Sequence, residues 1–229
     1  MLTILSWNIQ QGGGSRIRDI LNLIRNQRAQ ILVLSEFRNN RNGALIRGKL
    51  LSMGYLFQFV SLAESDVNSV LIASKLPCSS KLFINLKMAF NHTVICVEFE
   101  AFKCYGVYLP HKKKHQLFEL LKAEVTSEKP SIIMGDFNTG INGVDQKGNS
   151  FWYTAELKRL EKANMRDAFR YIHGDAETYS WYSHQGNGFR YDHIYIHQDL
   201  LAVVEGCEYI HEARVQKWSD HSPMVLNLK

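Results

Sequence analysis

The 229-residue chain is sparing with proline and glycine, at four Pro and 15 Gly. That scarcity excludes a collagenous, low-complexity or mainly disordered chain. Cysteine is scarce as well. The four cysteines, Cys78, Cys96, Cys104 and Cys207, form no Cys-x-x-Cys pair, and three lie in apolar stretches. They argue for buried reduced thiols rather than a zinc site or a disulfide framework. No apolar run approaches the roughly 20 residues that a membrane span needs. The opening MLTILSWNIQ has neither a basic n-region nor a long apolar stretch, so no signal peptide is expected and a cytoplasmic, intracellular protein is the default. Nothing calls for a membrane or an obligate protein partner.

What is present is ordinary for a globular protein: 45% hydrophobic and 21% charged residues. Lys and Arg number 27 against 22 Asp and Glu, and the isoelectric point is near 9.0. This modest excess leans toward a polyanionic partner. At about 150 residues per domain the length allows one domain or two small ones. No repeat, low-complexity tract or linker divides the chain, so residues 1–229 are read as a single domain.

The apolar run Leu2 to Ile9 reads as a buried strand. Gly12-Gly13-Gly14 breaks it; no Lys-Ser/Thr follows, so this is a turn and not a P-loop. Ser15 is the expected N-cap of a helix whose apolar face is Ile17, Ile20, Leu21 and Ile24. Ile31 to Leu34 is a second buried strand, and Leu45 to Leu51 reads as a helix. Strands are expected over Tyr55 to Val60, Ser69 to Ser74, Lys81 to Leu86, Thr93 to Phe99 and Lys103 to Leu109. Leu117 to Val125 and Trp152 to Ala163 have helical spacing. Ser131 to Met134, Arg190 to Ile196 and Pro223 to Leu228 are further strands. Helices flanking a block of consecutive strands favour two mixed, mainly antiparallel sheets packed face to face, with helices on the outer faces.

Polar residues recur at the strand ends: Trp7-Asn8, Ser35-Glu36, Tyr108-Leu109-Pro110-His111, Gly135-Asp136-Phe137-Asn138, Arg190-Tyr191-Asp192-His193 and Ser219-Asp220-His221-Ser222-Pro223. Loops at one end of a rigid sheet are common places for sites. Carboxylates and amides there suit Mg²⁺ or Mn²⁺, which prefer oxygen ligands. Taken singly, each has a plainer structural reading. Asp136 and Asn138 could form an Asx turn, Glu36 could be a solvated carboxylate, and Asp192 with His221 a structural pair. His193, His197 and His211 read as surface or satisfied histidines.

The stretches LSWN, VLSE, YLPH, GDFN, YDHIYI and SDHSP, running in order from Leu5 to Pro223, resemble the endonuclease/exonuclease/phosphatase superfamily. Its best-known branches are the exonuclease III-type AP endonucleases and pancreatic deoxyribonuclease. The resemblance implies an α/β fold, the four-layer α/β/β/α sandwich. It implies Mg²⁺-dependent hydrolysis of phosphodiesters, most often in DNA, by an endonuclease or 3′-exonuclease, abasic sites included, with Mn²⁺ able to substitute. On this resemblance Glu36 is the principal metal carboxylate, Asn8 the amide beside it, and Asp220 lies near the metal. Asp136 positions or deprotonates the attacking water, and Asn138 stabilises developing charge. His221 binds the scissile phosphate, oriented by Asp192, and Tyr108 donates to a phosphate oxygen.

Two positions depart from the AP-endonuclease pattern. Gln10 stands where that branch has an acid, which weakens a second metal position. His111 stands where that branch has Asn, and could serve as phosphate ligand or second general acid. The run Lys112, Lys113, Lys114 is expected to rim the cleft and steer phosphate. Arg38, Arg41, Trp181 and Arg190 complete the expected substrate contacts. Competing readings are a phosphoesterase of the same superfamily acting on RNA, a tyrosyl-DNA adduct or a phospholipid head group, and a catalytically inactive binding module, which would lack the acids and histidine retained here.

Overall fold

In the computed structural model, which describes residues 1–83, 89–126 and 129–229, the central strands are nearly devoid of exposed side chains. In chain order the elements are β1 (Leu2–Asn8), α1 (Ile17–Gln27), β2 (Ile31–Phe37), α2 (Arg41–Ser52), β3 (Phe57–Val60), β4 (Ser69–Ser74), β5 (Ser79–Leu82), β6 (Val94–Glu98) and β7 (Lys103–Tyr108). There follow α3 (His115–Val125), β8 (Ser131–Asp136), α4 (Thr154–Lys162), β9 (Met165–Asp167), α5 (Ala168–His173), β10 (Trp181–Tyr182) and β11 (Gly188–Phe189). The chain closes with β12 (Asp192–His197), β13 (Val204–Tyr209), α6 (His211–Val215) and β14 (Met224–Leu228).

Two six-stranded sheets result, ordered β13-β14-β1-β2-β4-β3 and β5-β6-β7-β8-β12-β9. Alternation along each strand divides the apolar side chains into three layers. Ile4, Val33, Val70 and Ile72 of one sheet meet Ile95, Val97, Ile132 and Ile194 of the other. Leu5, Trp7 and Leu34 point outward onto Ile20 and Ile24 of α1 and Ile46 of α2. Tyr105, Ile133 and Tyr195 point outward onto Leu117 and Leu121 of α3 and Leu157 of α4. Three apolar layers between four structural ones make the α/β/β/α sandwich. The sheets pack tightly at Gly106, where a Cβ would lie 2.9 Å from both Val33 and Val70.

Several expected boundaries shift. Ser15 caps nothing: a 3-10 turn over Gly14–Arg16 leads into α1, with no side-chain cap on either. Helix α2 starts earlier than its apolar pattern because Asn40 caps it, accepting from the backbone N–H of Asn42 and Gly43. The strand expected over Lys81 to Leu86 appears as β5, with exposed polar residues; residues 84–86 lie outside the described residues. β13 had no expectation, since it is a half-exposed edge strand with one buried side chain, Cys207. All four cysteines are free. Among the described residues no helix is long and apolar enough to cross a membrane.

Strand direction gathers the polar ends. β1 runs parallel to β2, with Asn8 beside Ser35. β7 runs parallel to β8, with Tyr108 beside Asp136. Both parallel pairs therefore finish at their polar residues. β12 and β14 run antiparallel to β8 and β1, so they begin where those finish: Asp192 is opposite Asp136, and Met224 is opposite Ser6.

Candidate active site

Asp136 sits at the end of β8 with both carboxylate oxygens engaged. Oδ1 accepts from the Asn138 backbone N–H at 2.8 Å, and Oδ2 accepts from Asn8 Nδ2 at 2.9 Å and Asn138 Nδ2 at 3.3 Å. The residue before it must be glycine. Gly135 has φ +141°, and a Cβ there would fall 2.0 Å from the Val107 carbonyl oxygen. Asn138 adopts φ 49° and donates its amide to the Leu109 carbonyl at 3.0 Å, tying the GDFN turn to the end of β7.

His221 faces Asp136. Its Nε2 lies 3.9 Å from Asp136 Oδ2, and its Nδ1 lies 2.7 Å from Asp192 Oδ2. The loop is pinned from behind: Trp7 Nε1 donates to the His221 carbonyl at 3.0 Å, and Ser219 Oγ donates to the Asn8 carbonyl at 2.6 Å. Burial pushes the Asp136 carboxyl up to about 7, with Asp192 adding to the rise while His221 and the donors Asn138 and Asn8 oppose it. Burial would lower the His221 imidazole. The carboxylates of Asp192 and Asp136 outweigh it and push the ring up to about 10. A protonated imidazole thus faces a carboxyl poised near neutrality.

Glu36 is presented by a bulge. The β2–β4 register shifts between Ser35 and Phe37, and Glu36 takes φ 54°, outside the ladder. Its Oε1 accepts from Asn8 Nδ2 at 3.0 Å, and its Oε2 from Gln11 N–H at 2.8 Å and Asn68 Nδ2 at 3.0 Å. Burial raises the pKa of the Tyr108 hydroxyl, with the carboxylates of Glu36 and Asp136 adding to the rise. Asp220 accepts from Trp181 Nε1 at 3.3 Å.

The donor set bears on a metal in two ways. Asp136, Asp192 and His221 offer ligand atoms all within 4.8 Å of one another, a group able to hold a metal ion. They are also hydrogen-bonded to neighbours or to each other, as proton-handling groups are. Glu36 and Asp220 offer hard carboxylate oxygens, the donor type that Mg²⁺ and Mn²⁺ select. The residues present therefore fit a hard divalent cation.

Three expectations need correction. Asn8 does not present its amide oxygen as a ligand: Oδ1 accepts from Gln10 N–H at 2.9 Å, while Nδ2 bridges Glu36 and Asp136. Lys114 does not rim a cleft. It is fully buried, with Nζ donating to the carbonyls of Phe137 at 2.7 Å and Asn138 at 2.9 Å, and burial lowers its pKa to about 7. Arg190 is also fully buried, held by Asp145 at 2.7 Å and Asp167 at 2.6 Å beneath the site, so it has no reach to a substrate. His111 is exposed and lies against Trp152, with ring centres 6.3 Å apart. Arg38 donates its Nε to Asn68 Oδ1 at 2.7 Å, beside the amide that holds Glu36. Lys112, Lys113 and Arg41 are exposed, with Lys112 Nζ 4.8 Å above the Trp152 ring.

Two residues here carried no motif. Asn68 immediately precedes β4, whose Ser69 pairs with Phe37, so strand pairing alone brings it to Glu36. Arg16 is half-buried and donates to the Gln10 carbonyl at 2.7 Å and to its Oε1. Burial lowers the Arg16 pKa, and the charges of Asp220 and Glu36 oppose that. Gln10 is thus occupied by an arginine. Asn68 stands just before a strand and Arg16 just before a helix, and neither position by itself signals a site.

The two six-stranded sheets carry this polar cluster at one end of an α/β/β/α sandwich. A family model described as the Endonuclease/Exonuclease/phosphatase family matches residues 5–221, and the chain belongs to that family. A DNA-(apurinic or apyrimidinic site) endonuclease of Arabidopsis thaliana is 25% identical over 223 residues, covering 73% of this chain and 61% of that protein. An exodeoxyribonuclease of Streptococcus pneumoniae is 26% identical over 169 residues, covering 62% of this chain and 60% of its own length. The chain thus spans about 60% of the length of these curated relatives. Among solved structures, an AP endonuclease from Archaeoglobus fulgidus has a TM-score of 0.86 at 20% identity. A 3′ phosphatase from Neisseria bound to product DNA hairpin has a TM-score of 0.85 at 21% identity. Both comparisons cover 100% of each chain, and they show a shared fold.

Proposed function

We propose that this chain is a Mg²⁺-dependent DNA phosphodiesterase, with Mn²⁺ able to substitute, acting as an endonuclease or 3′-exonuclease with abasic sites among its substrates. The observation that carries this reading is the facing of His221, paired to Asp192, with Asp136, 3.9 Å away and bridged through Asn8 to Glu36. Asp136 orients the attacking water and takes its proton. The protonated His221 donates to the scissile phosphate, with Asp192 holding the ring, and Asn138 and Tyr108 donate to phosphate oxygens as charge develops. Glu36, with Asp220 near it, would hold the divalent ion, which supplies charge neutralisation for the phosphate oxygens. The relatives named as DNA endonuclease and exodeoxyribonuclease support DNA as the substrate. The free cysteines support a reducing, cytoplasmic setting, and the continuous sheets support a single domain over residues 1–229.

The test is incubation with plasmid, abasic-site duplex, single-stranded DNA, RNA and a bis-aryl phosphodiester, each with Mg²⁺, Mn²⁺ or EDTA. Metal-dependent cleavage of a DNA substrate is expected. Preference for RNA would redirect the substrate, and no cleavage in any arm would refute the reading.

A further inference from the structure

Beside the candidate active site lies a cavity of about 370 Å³ lined by Gln10, Tyr182, Arg214, Lys217, Ser219 and Asp220. It shares Asp220 with the site, and Ser219 is the residue whose hydroxyl pins the Asn8 carbonyl. None of the roles above uses Arg214 or Lys217. We propose that this cavity is a subsite for a phosphodiester flanking the scissile one, gripped chiefly by Arg214. The assignment rests on the reading of the chain as a DNA phosphodiesterase.

Arg214 is prepared for this. Its guanidinium lies 4.3 Å above the Tyr182 ring, and its Nε donates to Ser222 Oγ at 3.2 Å. Ser222 is itself fixed, its backbone N–H donating to the Ser180 carbonyl at 2.9 Å and its hydroxyl lying 3.0 Å from His211 Nδ1. Stacking on one face and a bond at Nε leave the terminal nitrogens as the fork that matches a phosphate. An arginine held in this way has already lost much of the rotamer freedom that binding would otherwise cost. Lys217 is exposed, and its backbone N–H donates to the Arg214 carbonyl at 3.0 Å, so the two cations share one short segment. The cavity's one carboxylate, Asp220, is offset by the Arg16 guanidinium and by the Trp181 N–H. Because Ser222 follows His221, the phosphate grip and the ring facing Asp136 are carried on adjacent residues. A strand gripped at the first is placed in register with the second.

The experiment is a coupling measurement. A short DNA duplex binds in EDTA, followed by fluorescence anisotropy, with each phosphate near the cleavage position replaced in turn by a neutral methylphosphonate. Neutralising one particular phosphate should weaken the wild-type protein about tenfold, the size of one charge-assisted hydrogen bond, and leave R214A unaffected. K217A, a surface variant with little bearing on folding, should show a shallower salt dependence by about 0.9 in log–log slope. R214A binding as tightly as wild type, or losing as much as wild type at every neutralised phosphate, overturns the subsite. If R214A does not fold, the same cycle is run with R214K, which keeps the charge but not the fork and should lose most of the coupling; coupling equal to wild type overturns the subsite. A wild-type protein that cleaves DNA but shows no such coupling fails here alone. One that cleaves no phosphodiester fails at the functional reading.

Discussion

His221 Nε2 lies 3.9 Å from Asp136 Oδ2, a buried imidazole facing a buried carboxyl with opposite protonation preferences. One group prefers to keep its proton and the other is poised to take one. That division suits hydrolysis of a phosphodiester, in which water loses a proton as phosphate oxygens gain charge. Asp192 enforces the division by holding the far side of the ring at 2.7 Å.

Asp136→Asn keeps the shape and most hydrogen bonds of this carboxyl but cannot accept the water's proton. The expected result is a fall in kcat of about 10³ or more, with substrate binding unchanged or slightly tighter. Single-turnover rates set beside direct binding measure both. Cleavage within tenfold of wild type would remove Asp136 from the centre of the mechanism.

The two shifted pKa values predict a bell-shaped rate profile. Asp136 is active when ionised, so the rate should rise through about pH 7. His221 is active when protonated, so the rate should fall through about pH 10. Burial alone would lower the His221 pKa, and Asp192 is the first of the charges that raise it. Asp192→Asn should therefore move the alkaline limb to lower pH. An alkaline limb that stays in place would mean that it reports another group.

Glu36→Gln removes the negative charge from the carboxylate that three donors hold in place. Activity should drop at limiting Mg²⁺ and recover in part at high Mg²⁺ or with Mn²⁺, while thermal unfolding without metal stays close to wild type. Equal activity at limiting Mg²⁺ would show that the ion is held elsewhere.

Arg190→Met should act on stability. It takes from Asp145 and Asp167 the buried guanidinium that chiefly holds both carboxylates below the usual range against burial, leaving Asp145 to Arg170 at 2.6 Å and Asp167 to His193 at 3.2 Å. Removing the partner of a buried pair costs about 3–5 kcal/mol. The deficit should be greatest at neutral pH, where both acids are charged, and should shrink as pH falls and the two carboxyls take up protons. Urea unfolding at several pH values reads this directly. A loss below about 1 kcal/mol would mean that water or neighbours replace the guanidinium.

Much of this was written in local sequence. Apolar runs such as Ile31–Leu34 and Ser131–Met134 mark buried strands because a strand covered on both faces needs no alternation. The 3.6-residue spacing in Ile17, Ile20, Leu21 and Ile24 marks the face that α1 buries. Asn8, Glu36, Asp136, Asp192 and His221 stood out because polar side chains end or begin apolar strands, and ladder direction then carries them to one end of the two sheets. Burial and partnership could not be read in this way, since neither is local. Lys112, Lys113 and Lys114 are the same residue three times in a row, yet only Lys114 turns inward to hold two carbonyls of the GDFN turn. Arg190 follows a loop and precedes a strand like any cleft residue, but Asp145 and Asp167 arrive from 45 and 23 positions away to neutralise it within the fold. Asn68 and Arg16 gain their places by pairing and packing alone. Sequence determined which chemistry was available and which segments would be buried, because propensity and periodicity act over a few residues. Only the tertiary structure decided which charges meet water and which meet each other, because long-range contacts alone set burial and counter-charge.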